Sequence, residues 1–332
     1  MYHPAFSTRV TDELGCIYPI LCAGMGGVAR HKLAAAVSNA GGFGCLGMVR
    51  EAPEFIRAEI DRYRALSKKP FAVNLIPAAT HPELLTRQIN ECIAANVRYM
   101  VFFWDVDKES MRRCIDNGIT VIHQVGSKRD AEAAIEAGAK VLIAQGVEAG
   151  GHVRGDTTLF GLLPEICSVS PVPVVAAGGI TNGKALAAAF ALGAQGVSCG
   201  TLFLATHESN AHDFHKEKII RAEAADTTLC YDFHRNWPMK AAVRVLKNAI
   251  TENPYHDYKH FPDRPIGQQD GAPIYPFSTD SPLAGANGDL ASMALYAGQG
   301  CASVNKISSA ATVIENLMKQ ADHYLKGLEK LF

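Results

Sequence analysis

Apolar and polar positions along the chain fall into a repeating two-part pattern. Short, nearly continuous apolar runs, such as Val-Leu-Ile-Ala at 141–144 and Val-Val-Ala-Ala at 174–177, alternate with longer Ala-rich stretches of helical spacing. Uninterrupted apolar runs mark strands covered on both faces, as in parallel sheets. Eight runs are predicted as strands: Ile17–Ala23, Phe43–Met48, Pro70–Leu75, Tyr99–Trp104, Thr120–Gln124, Lys140–Gln145, Val172–Ala176 and Gln195–Gly200. Helices are predicted over 30–40, 53–66, 82–95, 108–117, 128–137, 157–168, 182–192 and 213–225. Several end in glycine, which most easily takes the left-handed conformation at a helix C-terminus. Eight βα units favour a closed (β/α)8 TIM barrel of the α/β class over an open doubly wound sheet.

The pattern breaks after residue 225. Residues 254–288 hold six Pro and four Gly, a density that predicts irregular structure. A helical piece is expected at Met239–Ala249. A final helix, Ser308–Leu328, carries Ala311, Ile314, Leu317, Met318 and Ala321 at helical spacing. The expected organisation is a barrel over 1–225, a smaller insertion over 226–295 covering the active site, and a return segment with a C-terminal helix over 296–332.

Composition narrows the classes. With 332 residues, 48% of them hydrophobic and 20% charged, the chain has the balance of a globular protein. Lys and Arg number 32 against 33 Asp and Glu, so there is no basic excess for nucleic acid. No apolar run reaches membrane-span length, and no secretory signal pattern opens the chain, so no membrane association and a cytoplasmic location are expected. The nine Cys are scattered without a CxxC pair, which argues against a disulfide framework or a zinc site. No metal is expected: His212 and His215 stand three apart without a further ligand group.

Several loops and strand ends carry candidate chemistry. Gly42-Phe-Gly44-Cys-Leu-Gly47 matches GxGxxG, but it follows a helix and enters a strand, the reverse of the dinucleotide fingerprint. The Gly178-Gly179 turn ends the seventh strand and Gly200-Thr201 the eighth. Loops after these two strands of a TIM barrel often cradle phosphate with backbone N–H groups. Gln145-Gly-Val-Glu-Ala-Gly150-Gly151-His152 leaves the sixth strand at the same rim. A histidine of ordinary, near-neutral pKa there suits proton abstraction, or is held by backbone. Glu148 is either a second base or structural. Gly24-Met25-Gly26 after the first strand and Asn74 at the end of the third could meet the polar edge of a planar heterocycle, or serve as turn and core. Phe102-Phe103-Trp104 would wall a pocket or fill the core.

Together these stretches resemble the nitronate monooxygenase family, formerly the 2-nitropropane dioxygenases. The matching segments are Met25-Gly-Gly-Val with Ala34-Ala-Ala-Val-Ser-Asn-Ala-Gly-Gly, Gln145 to His152, Ala176-Ala-Gly-Gly-Ile, Gly200-Thr201-Leu-Phe, and Tyr296-Ala-Gly-Gln299. The resemblance implies a barrel binding FMN non-covalently and oxidising alkyl nitronates, with nitroalkanes as further candidates, by O2 to a carbonyl compound and nitrite. It implies His152 as the catalytic base, Gly178, Gly179, Gly200 and Thr201 at the phosphate, and Asn74, Gly24, Met25, Gly26, Gln145, Gly150, Gly151 and Gln299 around the cofactor. A homodimer is the candidate assembly. Two departures alter the pocket wall: Leu202 stands where members often have Arg, and Trp104-Asp-Val-Asp replaces a Gly-x-Pro turn.

The same motifs are similar to FMN-dependent enoyl-ACP reductases, notably at Glu208-Ser-Asn-Ala-His and Lys216-Glu-Lys-Ile-Ile. A NAD(P)H-dependent FMN reductase of enoyl-ACP or quinone type is therefore the main alternative. A non-catalytic flavin-binding protein is the other. Asn236-Trp-Pro, Arg244-Val-Leu-Lys-Asn and the Tyr296 segment favour the monooxygenase.

Overall fold

The computed structural model describes residues 2–237, 241–253 and 264–329. Eight parallel strands form its centre: β1 Ile20–Cys22, β2 Gly44–Gly47, β3 Phe71–Leu75, β4 Tyr99–Phe103, β5 Thr120–Val125, β6 Val141–Gln145, β8 Val174–Ala177 and β9 Gly196–Cys199. The strand numbered β7, Gly151–His152, lies outside this ring. The ring closes between β1 and β2, where the Cys22 N–H donates to Phe43 O at 2.9 Å and the Phe43 N–H to Ile20 O at 2.8 Å. The eight-stranded TIM barrel expected from the alternating pattern is thus the observed fold.

Side-chain parity explains how the barrel builds its mouth. Successive strand residues face opposite sides. Ala72, Ile122, Val141 and Ile143 pack inside the barrel. Their neighbours Val73, Val121, Leu142 and Ala144 pack outward against the helices. The inward parity continues upward to Asn74, Gln124 and Gln145, which line a cavity at the C-terminal rim. Below, helix α1 (Arg9–Leu14) plugs the other end with Val10 and Leu14.

The GxGxxG segment serves packing. An added Cβ at Gly44 would meet Ala34 O at 2.2 Å, and one at Gly47 would meet Met25 O at 2.2 Å. These glycines let β2 lie close to helix α2 (His31–Asn39) and to the loop after β1.

Three expectations need correction. The first strand starts at Ile20, and Ile17 is 63% exposed. Within the expected helix Met239–Ala249, residues 239 and 240 lie outside the described residues, and Val243–Leu246 is strand β11. Val243 and Val245 are fully buried, and β-branched residues at alternate positions pack well on a pleated surface. The Pro- and Gly-rich stretch is also more regular than predicted. Its described part holds strands β12 Gly267–Gln269, β13 Ala272–Ile274 and β14 Asn287–Gly288 in one small antiparallel sheet. Residues 254–263 lie outside the described residues.

A second three-stranded sheet joins β10 (Thr227–Cys230) and β11 to β7. Near the end of the fold, helix α11 (Ala310–Leu328) packs on α2 and on helix α8 (Gly183–Ala191). Ile314 on α11 is buried, and a Cβ on Gly42 would come within 3.1 Å of its Cδ1. Ile314→Ala should therefore cost about 2–5 kcal/mol of stability, the usual price of such a core truncation. Urea denaturation followed by circular dichroism measures it, and a loss below about 1 kcal/mol would show that α11 is loosely packed.

Candidate active site

The cavity at the barrel mouth has a volume of about 390 Å³. The loops after β1, β6, β8 and β9 line it, together with the insertion that follows the barrel. Of the residues singled out from sequence, Gly24, Met25, Gly26, Asn74, Gln145, Gly150, Gly151, His152, Gly178, Gly179, Gly200 and Thr201 all border this one space. Gln299 does not. Its side chain is exposed and its N–H donates to Glu148 O at 3.0 Å, while Gly298 and Gly300 form the wall there.

The glycines divide into two kinds. At Gly24 an added Cβ would lie 2.4 Å from Asn74, and at Gly150 it would lie 2.5 Å from the Gly298 nitrogen. These positions allow close packing of one loop on another. At Gly179 and Gly200 the nearest atoms to an added Cβ are 3.6 and 3.7 Å away, so the space such a carbon would enter adjoins the cavity. Gly178 and Gly179 have φ of +118° and +67°, which glycine adopts without the steric cost a side chain imposes. The Thr201 hydroxyl accepts from the Gly298 N–H at 3.0 Å. Backbone turned this way at a barrel rim forms a concavity suited to an anion such as phosphate.

His152 is placed from both sides of its loop. The Gln145 side-chain amide donates to His152 O at 2.9 Å, and Gln145 Oε1 accepts from the Arg154 N–H at 3.4 Å. On the other side, β11 pairs Val243 with His152 and Arg244 with Gly151. The buried Arg244 guanidinium donates from Nε and Nη2 to Val147 O, at 3.1 and 3.0 Å. Glu148 is structural: its carboxylate accepts from the Leu159 N–H at 3.1 Å, at the start of helix α7 (Leu159–Val169).

Aromatic rings surround the imidazole. Trp237 stacks on it at 3.6 Å between centroids and 17° between planes, and Trp104 meets it edge-on at 6.3 Å. Trp104 has φ of +86°, a strained conformation of the kind that clusters at active sites. Phe103 lines the cavity, whereas Phe102 is in the core. Several buried polar atoms around the cavity have no hydrogen-bond partner among the described residues: Asn74 Oδ1, His152 Nε2, Thr181 Oγ1, Trp237 Nε1 and Ser281 Oγ. Orphaned atoms of this kind are costly in a finished core, and their concentration at one cavity points to a bound molecule.

The electrostatics of His152 differ from the sequence expectation. Burial, aided by the positive charge of Arg50, pushes its pKa down to about 3. Its imidazole is therefore neutral at ordinary pH. His215, whose Nε2 lies 3.1 Å from Tyr296 O, is lowered by burial to about 4. Among the described residues no group of three or more His, Cys, Asp or Glu could hold a metal ion, and all nine Cys are free thiols.

The sequence profile of the nitronate monooxygenase family matches residues 7–320. The chain belongs to the nitronate monooxygenase family. A probable nitronate monooxygenase of Staphylococcus saprophyticus is 31% identical to it over 96% of this chain and 99% of that protein. A 5-hydroxy-7a-methyl-1-oxo-octahydro-1H-indene-4-carboxyl-CoA dehydrogenase of Rhodococcus jostii is 35% identical, the match covering 67% of this chain and 62% of that protein. Among solved structures, FabK from Thermotoga maritima superposes with a TM-score of 0.82 at 31% identity, covering 98% of this chain and 99% of that one. Nitroalkane oxidase from Streptomyces ansochromogenes gives 0.79 at 30%, covering 97% and 100%. This member of the nitronate monooxygenase family is accordingly an oxidoreductase. Among its described residues no helix is long and apolar enough to cross a membrane.

Sequence reasoning passed over Arg50 and the roles of Trp237 and Arg244. Arg50 carried a weak signal, since it follows the second strand at the rim where barrel enzymes place functional groups. Trp237 and Arg244 sit in an insertion whose return to the barrel no periodicity announces.

The lowered pKa values set an acid limit on stability. The unfolded chain binds protons at His152 and His215 near pH 6.5, whereas the folded protein does so only near 3 and 4. Stability is therefore full above about pH 6.5 and falls as pH drops toward 4, by up to about 1.4 kcal/mol per pH unit for each group. Urea midpoints at pH 7.5, 6 and 5 should decline in that order, and His215→Gln should flatten the slope. A constant midpoint would contradict the buried neutral state of both rings.

Proposed function

We propose that the protein binds FMN across the barrel mouth and oxidises alkyl nitronates with O2 to a carbonyl compound and nitrite. One observation carries this reading: the glycine cradle and two orphaned polar atoms, Asn74 Oδ1 and His152 Nε2, converge on one cavity. Family membership supports the reaction class. Gly178, Gly179, Gly200 and Thr201 would hold the phosphate. Gly24, Met25, Gly26 and Asn74 would face the polar edge of the ring system. When bound, FMN supplies the electron transfer and the reaction with O2, while the protein supplies orientation and electrostatics.

The chain's own groups do three things. The Gln145 and Arg244 contacts hold the His152 loop. Trp104 and Trp237 exclude water from one side of the imidazole. His152 then accepts a proton at Nε2 when a neutral nitroalkane enters. From a pKa of about 3 the imidazole is a weak base, and an adjacent anion would raise it by roughly 1–3 units. The site is thus better matched to a substrate arriving as the nitronate than to one whose proton must first be removed.

His152→Ala should retain bound flavin and lose about 100-fold or more in kcat/KM for nitroethane, the usual scale of a lost general base. Ethyl nitronate, already deprotonated, should lose less than about tenfold. Equal losses on both substrates would remove His152 from proton transfer.

A second reading, a NAD(P)H-dependent reductase of an acyl thioester or quinone, draws on the Rhodococcus relative, by its name a carboxyl-CoA dehydrogenase. Anaerobic mixing separates the two. Ethyl nitronate should bleach the flavin band and NADH or NADPH should not. Fast bleaching by either nicotinamide would move the assignment to the reductase.

A further inference from the structure

Apart from its effect on the charge state of His152, Arg50 has no role assigned above, yet it lines the same cavity. Its backbone has φ of +60°, which non-glycine residues seldom adopt and which persists when the surroundings enforce it. The enforcing contacts come from the insertion. One guanidinium nitrogen donates to Asn236 O and the other terminal nitrogen to Thr279 Oγ1, at 3.3 Å for the latter. Asn236 in turn accepts from the Thr279 N–H at 2.8 Å, and the Tyr296 hydroxyl donates to Thr279 O at 2.7 Å. A guanidinium carries five N–H donors, so this anchoring leaves donors free.

Arg50 and its two nearest carboxylates, Asp280 and Glu51, all line the cavity. Asp280 is its ion-pair partner at 4.0 Å, but the other oxygen of that carboxylate is held by the Asn236 amide at 3.1 Å and by the Ser278 hydroxyl. The nearby Glu51 is engaged by Arg30 at 2.6 Å. Two further donors follow the residues that anchor Arg50. Trp237 is next after Asn236, and Ser281 is two residues beyond Thr279. Both are more than nine-tenths buried, border the cavity, and lack a hydrogen-bond partner for Nε1 and Oγ among the described residues. Trp237 is the ring that stacks on His152.

We propose that Arg50, set in this donor-rich wall, binds the anionic end of the substrate and selects nitronates over neutral nitroalkanes. A planar guanidinium matches the two oxygens of a nitronate or carboxylate, and charge-assisted bonds of this type are the strong ones. The identity of the anion rests on the proposed function, whereas the anion site itself rests on the geometry of the wall.

Nitrate, a stable planar anion, is the probe. The chain's two Trp, 104 and 237, both adjoin His152, so intrinsic fluorescence reports on this wall. Nitrate titration of the flavin-loaded protein should give a Kd at least tenfold higher in Arg50→Met than in the wild type, with Arg50→Lys between them. In turnover, the ratio of kcat/KM for ethyl nitronate to that for nitroethane should fall at least tenfold in Arg50→Met, chiefly through the KM for nitronate, and recover in part in Arg50→Lys. A residue that only braces the insertion would lower both substrates together and leave the ratio unchanged. That result, or equal nitrate affinity in Arg50→Met and wild type, overturns the proposal. Flavin content and circular dichroism check that each variant folds, and Arg50→Gln supplies the same comparison if Arg50→Met does not. Arg50-dependent nitrate binding in a wild type that turns over no nitronate would sustain the anion site while refuting the proposed function.

Discussion

The pairing of β11 onto β7 is the interaction on which the site depends. The loop from Gln145 to His152 contains three glycines and has little stiffness of its own. Its geometry is imposed from outside, by the Val243–His152 and Arg244–Gly151 pairing and by the two bonds from Arg244 to Val147 O. A buried guanidinium is costly unless its donors are satisfied. Arg244 meets that requirement by bonding the loop backbone and, at 3.4 Å, Thr227. The insertion is therefore part of the active-site scaffold, and it completes from one side what the Gln145 amide does from the barrel.

The same insertion decides the character of the cavity. The barrel contributes the Asn74, Gln124 and Gln145 side chains and much backbone: turns at Gly178, Gly179 and Gly200 that offer N–H groups without side chains in the way. The insertion contributes side chains: Trp237, Ser281, and the Asn236 and Thr279 anchors of Arg50. One half suits a phosphate-bearing group and the other a small polarised substrate. His152 stands where they meet, neutral because it is buried and because the positive charge of Arg50 opposes its protonation.

What could be read along the chain follows the range of the interactions involved. The barrel was legible because each strand advertises itself over five or six residues, and the alternation that fills its interior also predicts which side chains reach the rim, as Asn74 and Gln145 do. The glycine turns and the loop bearing His152 were legible by position, since a strand end on a barrel is a definite place. Tyr296-Ala-Gly-Gln299 marked a segment that borders the cavity, although Gly298 and Gly300 line it there while Gln299 faces solvent. The stretch near 243 was misread as helix because pairing makes it a strand, with Thr227–Cys230 on one side and, about 90 residues away, Gly151–His152 on the other, and local periodicity shows neither. The depressed pKa of His152 was hidden for the same reason, as it arises from Trp237, Trp104 and Arg50, none of them near it in sequence.

The barrel's closing seam bears on how the chain comes to be assembled. Most neighbouring strands share three or more paired residues, but β1 and β2 meet through a single bridge at Leu21 and Phe43. Helix α2 joins β1 to β2 behind this seam, and helix α11 lies across α2 and α8 as a strap over that side of the barrel. During synthesis all eight strands have emerged by residue 199, whereas the strap is complete only at residue 328. The strands that form the ring are thus all made well before the helix that packs over α2 and α8. Until α11 docks, the apolar faces of α2 and α8 that it covers stay open to water.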